Sequence, residues 1–89
     1  MTVRVVFELE LTRRAARDLD RLRQSQPAVF EKVVAKIGSL AEDPKAGKPL
    51  VGPLKGKWSL RVGDYRIIYE LGKSTLIVLT VNHRKEVYK

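Results

Sequence analysis

In the stretch WSLRVGDYRIIYEL, residues 58–71, Arg61 and Arg66 stand symmetrically about Gly63-Asp64. A two-residue turn with glycine first suits a type II′ hairpin. Val62 then faces Tyr65 and Arg61 faces Arg66. Like charges directly opposite on a sheet are destabilising, by tenths of a kcal/mol up to about 1. A bound anion offsets that repulsion, and the planar fork of a guanidinium matches two oxygens of a phosphate. Two plain structural readings compete: both arginines are solvated, or one pairs with Asp64, Glu70 or a distant acid.

Charge distribution favours the anion. Residues 1–43 hold eight Lys/Arg and seven Asp/Glu, net +1; residues 44–89 hold ten and three, net +7. A one-sided positive field points to a nucleic acid, an acidic protein or a membrane surface. The basic half is strand-like rather than a basic amphipathic helix, so the membrane is the weakest of the three. No apolar run approaches the roughly 18 residues of a membrane helix. MTVRVVFELE has acids just after its apolar run and carries no cleavage signature. With no cysteine, thiol chemistry, disulfides and cysteine-based zinc sites are excluded. No Asp/Glu/His cluster has metal-ligand spacing, so neither a metal nor a cofactor is expected.

These charges need a scaffold. Eighty-nine residues make one domain, 1–89. TVRVVFEL reads as a first strand over about 2–9. Thr12 suits an N-cap for a helix over about 12–23, with Ala15, Leu19 and Leu22 as its apolar stripe and Arg14–Asp18 and Arg17–Asp20 as surface pairs. Ser25 or Gln26 caps a second helix with Pro27 in its first turn. Its stripe is Phe30, Val33, Val34, Ile37, Leu40 and Ala41, and Asp43-Pro44 stops it near residue 42. The basic segment 45–57 forms a loop with at most a short extended piece. The hairpin follows, and STLIVLTVNH, 74–83, is apolar enough for a central strand buried on both faces. The fold expected is α+β in the order β-α-α-β-β-β. Its sheet is four-stranded and mostly antiparallel, with a helical hairpin packed on one face.

Alternation then sorts the hairpin into two faces. Trp58, Leu60, Val62, Tyr65, Ile67 and Tyr69 fall on the apolar one, where core packing outweighs base stacking as a role for Trp58. Lys57, Ser59, Arg61, Arg66, Ile68 and Glu70 fall on the other. The chain closes on VNHRKEVYK, which adds His83, Arg84 and Tyr88. By themselves, a lone histidine near a strand end and a penultimate tyrosine read more simply as surface and packing residues.

GKPL…LKGKWSLRVGDYRIIYEL…VLTVNHRKEVYK resembles the RelE/ParE superfamily of type II toxins over nearly the whole chain. The hairpin and terminal motif are closer to the RelE messenger-RNA interferase branch than to the gyrase-poisoning ParE branch. The resemblance implies a cytoplasmic toxin that enters the ribosomal A site and cuts the bound messenger without a metal. It also implies inhibition by a cognate acidic, RelB-like antitoxin, in a toxin–antitoxin heterotetramer. Carried over by motif, the site residues are Lys57, Arg61, Arg66, Arg84 and Tyr88. Lys45, Lys48, Lys55, His83 and Lys85 are expected to bind nucleic acid, the lysines as phosphate contacts that give affinity rather than sequence choice.

Two departures stand out. Ser59 occupies a position where the family's best-studied branch has a second strand lysine; Lys55 is a substitute if the loop folds back. The tail between Arg84 and Tyr88 is also two residues shorter. Cleavage needs a base for the 2′-hydroxyl, a donor for the leaving 5′-oxygen and positive charge on the transition state. Tyr88 and Lys57 are the candidate bases; arginine is too weakly acidic to be one. The resemblance suggests Arg84 as donor, while His83 is better matched to neutral pH. Two other functions share the fold: a non-catalytic ParE-like toxin acting on DNA gyrase, and a plain RNA-binding module.

Overall fold

A computed structural model describes residues 6–84. The elements are β1 (Glu8–Leu11), α1 (Arg13–Ser25), α2 (Pro27–Leu40), β2 (Lys48–Pro49), β3 (Lys57–Val62), β4 (Tyr65–Leu71) and β5 (Thr75–His83), with a single 3-10 turn at Gly52–Leu54. The sheet has five strands in the order β1-β5-β4-β3-β2. The fifth is β2, a two-residue rung inside the basic segment. β1 lies parallel to β5 and the other pairs are antiparallel. Among the described residues the first strand is Glu8–Leu11, later than the valine-rich run suggested.

Thr12 caps α1: its hydroxyl accepts from Ala15 N at 3.0 Å and donates to the Leu79 carbonyl at 2.7 Å. The cap therefore also pins the helix to β5. Gln26 alone links the helices, closing α1 and opening α2, with Pro27 at the first helical position. The linker is shorter than the three or so residues expected. Asp18 does not pair with Arg14. Its carboxylate accepts from the Thr80 hydroxyl at 2.6 Å and from Val81 N at 3.0 Å, satisfying a backbone donor of β5 beyond the end of β1. Asp20 instead pairs with Arg23 at 2.6 Å.

The core lies between the helices and one face of the sheet. Ala15, Leu19, Leu22, Val33, Ile37 and Leu40 meet Val62, Ile67, Tyr69, Leu76, Val78 and Val81. Val34, expected in that stripe, is 43% exposed and lies outside it. β5 is not buried on both faces: Leu76, Val78 and Val81 are buried, while Ile77 and Leu79 are half-buried. No helix among the described residues is long and apolar enough to cross a membrane.

Candidate phosphate-binding face

The hairpin pairs in the register read from its turn. Val62 opposes Tyr65, Arg61 opposes Arg66, Ser59 opposes Ile68 and Lys57 opposes Glu70. Gly63 has φ +60° and Asp64 a negative φ, the combination of a type II′ turn. In such a hairpin the pair beside the turn is hydrogen-bonded and the next one out is not. Arg61 and Arg66 therefore occupy the closer kind of pair, about 4.5 Å between Cα atoms. Behind them Val62, Ile67 and Tyr69 are buried, and Trp58, Leu60 and Tyr65 pack against the core. Trp58 stacks on Tyr69, with ring centroids 6.3 Å apart and planes 22° from parallel.

A bulge brings the end of β5 into this face. Tyr69 pairs with Val78 but Ile68 pairs with Thr80, so Leu79 is the extra residue. Unbroken alternation from Val78 would turn Asn82 toward the helices. The insertion inverts the phase, so Asn82 stands beside Arg66 on the outer face and His83 pairs with Tyr65 on the helix side. His83 meets the Tyr65 ring edge-on at 5.2 Å. Asn82 is buried, and its amide lies 2.8 Å from the Thr80 hydroxyl. Sequence reasoning missed Asn82, because nothing in VLTVNH marks the extra residue.

The cations are held by their neighbours. Arg61 Nε donates to the Gly63 carbonyl at 3.0 Å. Arg84 N donates to the Asp64 carbonyl at 2.6 Å, and its Nε lies 3.9 Å from Asp64 Oδ1. Both guanidinium groups are thus gathered at the hairpin turn. Lys57 Nζ lies 3.4 Å from Glu70 Oε1. Lys57 and Arg61 are four residues apart on one strand, about 13 Å. The result is a cationic stripe long enough to follow a strand of phosphates.

The structure thus brings together Lys57, Arg61, Arg66 and Arg84, and adds Lys48, which opposes Ser59. Lys45 and Lys55 are exposed in the flanking loop. His83 sits behind the sheet relative to Arg66. Tyr88 and Lys85 lie outside the described residues.

Tyr69 anchors the loop that carries Lys48. Its hydroxyl donates to the Pro44 carbonyl at 2.7 Å and accepts from Gly47 N at 3.2 Å. Burial lifts this phenol above its ordinary value, the Gly47 N–H opposes that shift, and the Asp43 charge adds to it.

Helices on one face of the sheet and the cationic side chains of the hairpin on the other define a two-layer α+β protein, with Ile68 and Asn82 buried on that second face. The model for the ParE toxin of the parDE type II toxin-antitoxin system matches residues 9–88. Toxin RelG of Mycobacterium tuberculosis is 34% identical over 87 residues, covering 93% of this chain and 97% of the relative. Toxin RelE of the same organism is 34% identical over 86 residues, covering 93% and 87%. The chain belongs to this family of type II toxins, within the RelE/ParE superfamily. Among solved structures, the toxin-antitoxin complex RelBE2 from M. tuberculosis matches with a TM-score of 0.80 and 36% identity, over 90% of this chain and all of that one. The YoeB/ParE toxin from Agrobacterium tumefaciens matches with a TM-score of 0.77 and 25% identity, over 86% and 98%.

Proposed function

We propose that this toxin is a ribosome-dependent endoribonuclease that cuts messenger RNA in the A site. The observation that carries the reading is the in-register pair Arg61–Arg66 on the face away from the helices, on the same side as Lys57 and beside Arg84 at the turn. Like charges set directly opposite on a sheet work against pairing, and the planar forks of two facing guanidinium groups match the oxygens of a bound phosphate. Both curated relatives, at 34% identity, are RelE- or RelG-named toxins.

The reaction needs three contributions. A base takes the proton of the 2′-hydroxyl, whose oxygen attacks the adjacent phosphorus. The P–O5′ bond breaks, and a donor protonates the leaving oxygen, giving a 2′,3′-cyclic phosphate and a free 5′-hydroxyl. Arg61 and Arg66 stabilise the charge that builds on the non-bridging oxygens. One base takes the 2′-hydroxyl proton, and the two candidates for it are Tyr88 and Lys57, the latter 3.4 Å from Glu70. Arg84 is the donor, since its backbone is fixed at the hairpin turn while His83 is turned to the helix side. A cognate acidic antitoxin neutralises the basic face; the similar RelBE2 structure is likewise a toxin-antitoxin complex.

The ParE description of the family model favours a second reading, a toxin that acts on gyrase without cutting RNA. Induction in cells separates the two. Mapping messenger ends on translating ribosomes should show new 5′ ends within minutes, absent for Arg66→Ala with Tyr88→Phe. Intact messenger together with a DNA-damage response would favour the gyrase reading instead.

A further inference from the structure

Ser59 leaves a gap in the cationic face, with Lys57 two residues before it and Arg61 two residues after. Its side chain is too short to reach a phosphate held by those neighbours. The register of β2 fills the gap from the side. Lys48 is the antiparallel partner of Ser59, and Pro49 that of Trp58. Paired residues project from the same face, with Cβ atoms about 4.5–5.5 Å apart, and diagonal neighbours lie about 7–8 Å away, within reach of a long side chain. Lys57 and Arg61 are those diagonal neighbours. The Lys48 ammonium therefore has access to the space above Ser59, in the middle of the stripe.

Two further observations bear on this lysine. Lys57 is engaged by Glu70 and Arg84 by Asp64, whereas no carboxylate among the described residues pairs with Lys48. Its backbone is also held more firmly than a two-residue edge strand requires. Leu50 N donates to the Lys57 carbonyl at 2.8 Å, and Tyr69 ties both Pro44 and Gly47 to the sheet. Gly47 admits this close approach, because a Cβ there would lie 2.6 Å from the Ser59 carbonyl oxygen and 2.7 Å from the Tyr69 hydroxyl. A loop lysine that served only as a diffuse phosphate contact would need no such clamp.

We infer that Lys48 reaches across the β2–β3 ladder to the scissile phosphate and supplies, over Ser59, the central ammonium of the site. The assignment rests on the nuclease reading above. It makes β2 a working part of the site, and makes Lys48 and Ser59 one unit in which a single cation occupies the rung.

Single-turnover cleavage of messenger on programmed ribosomes, measured against toxin concentration, tests the assignment. Lys48→Met should lower the maximal rate on the order of a hundredfold, the cost of removing one transition-state contact, with little change in the half-saturating concentration. Lys48→Arg should keep most of the rate. The exchanged pair Lys48→Ser with Ser59→Lys should recover most of what Lys48→Ser loses, because the cation returns to the same rung. Lys73→Met, in the β4–β5 turn, should behave as wild type. Lys48 is exposed, so all Lys48 variants should unfold at the wild-type temperature. A Lys48→Met protein with the wild-type maximal rate and only weaker binding would overturn the assignment, as would an exchanged pair no faster than Lys48→Ser. No cleavage by the wild type would instead overturn the nuclease reading, and the assignment with it.

Discussion

Arg61 and Arg66 are where the hairpin register and the proposed function meet most directly. Their opposition was legible in the sequence, because a two-residue turn with glycine first leaves one register in which Val62 meets Tyr65. Arg61 is exposed, and its bond to the Gly63 carbonyl is a surface one. Replacing it with threonine removes the like-charge repulsion and adds a β-branched residue to the strand. Arg61→Thr should therefore unfold at higher urea, with a gain of some tenths to about 1 kcal/mol, while losing activity. An unchanged or lower midpoint would show that the facing arginines cost the fold nothing. The neighbouring residues were less legible. Ser59 looked like a defect until β2 placed Lys48 opposite it. Asn82 and His83 exchange faces only because of the inserted Leu79, and no residue type in VLTVNH signals a bulge.

The helices were legible at the scale of the element, since Thr12, Pro27 and the apolar stripes carry local signals that the structure follows. The sheet was less so. β2 is two residues long, and its pairing is set by a side chain twenty residues downstream in the sequence. Tyr69→Phe keeps the ring in the core and its stacking on Trp58 but deletes the hydroxyl. The Pro44 carbonyl and Gly47 N–H then lose their partner, a cost of about 1–3 kcal/mol. The same tyrosine gives an alkaline signature. Its folded-state pKa is raised by burial, so its contribution is fully present below about pH 10 and is lost as pH rises through the folded value. Chemical denaturation at stepped pH should show wild type losing stability above about pH 10 relative to Tyr69→Phe. Parallel curves for the two proteins would contradict the clamp. The bulge in β5 is a second long-range device, held from the other side by Thr12 on the Leu79 carbonyl and Asp18 on Val81 N.

At the scale of the whole molecule the net charge of +8 is a matter of placement more than amount. The first half of the chain is nearly neutral only because Glu8, Glu10, Glu42 and Asp43 offset the helical layer, whose two helices carry seven Lys/Arg against three Asp/Glu. The second half supplies β2 to β5 and carries the larger excess, and the hairpin register sets Lys57, Arg61 and Arg66 on the face of the sheet away from the helices. That asymmetry was legible from composition, and the five-stranded topology with β1 parallel to β5 was not, because a four-residue strand exposed along its length has too little pattern to fix a partner. The proposed activity of this toxin rests on what the outer face does to RNA. The measurement that reaches it most directly uses purified ribosomes programmed with end-labelled messenger. Wild-type toxin should release a fragment ending in a 2′,3′-cyclic phosphate at the A-site codon, and Arg66→Ala should slow that release by about a hundredfold or more. Messenger left intact by the wild type, or cut equally fast by Arg66→Ala, would contradict it.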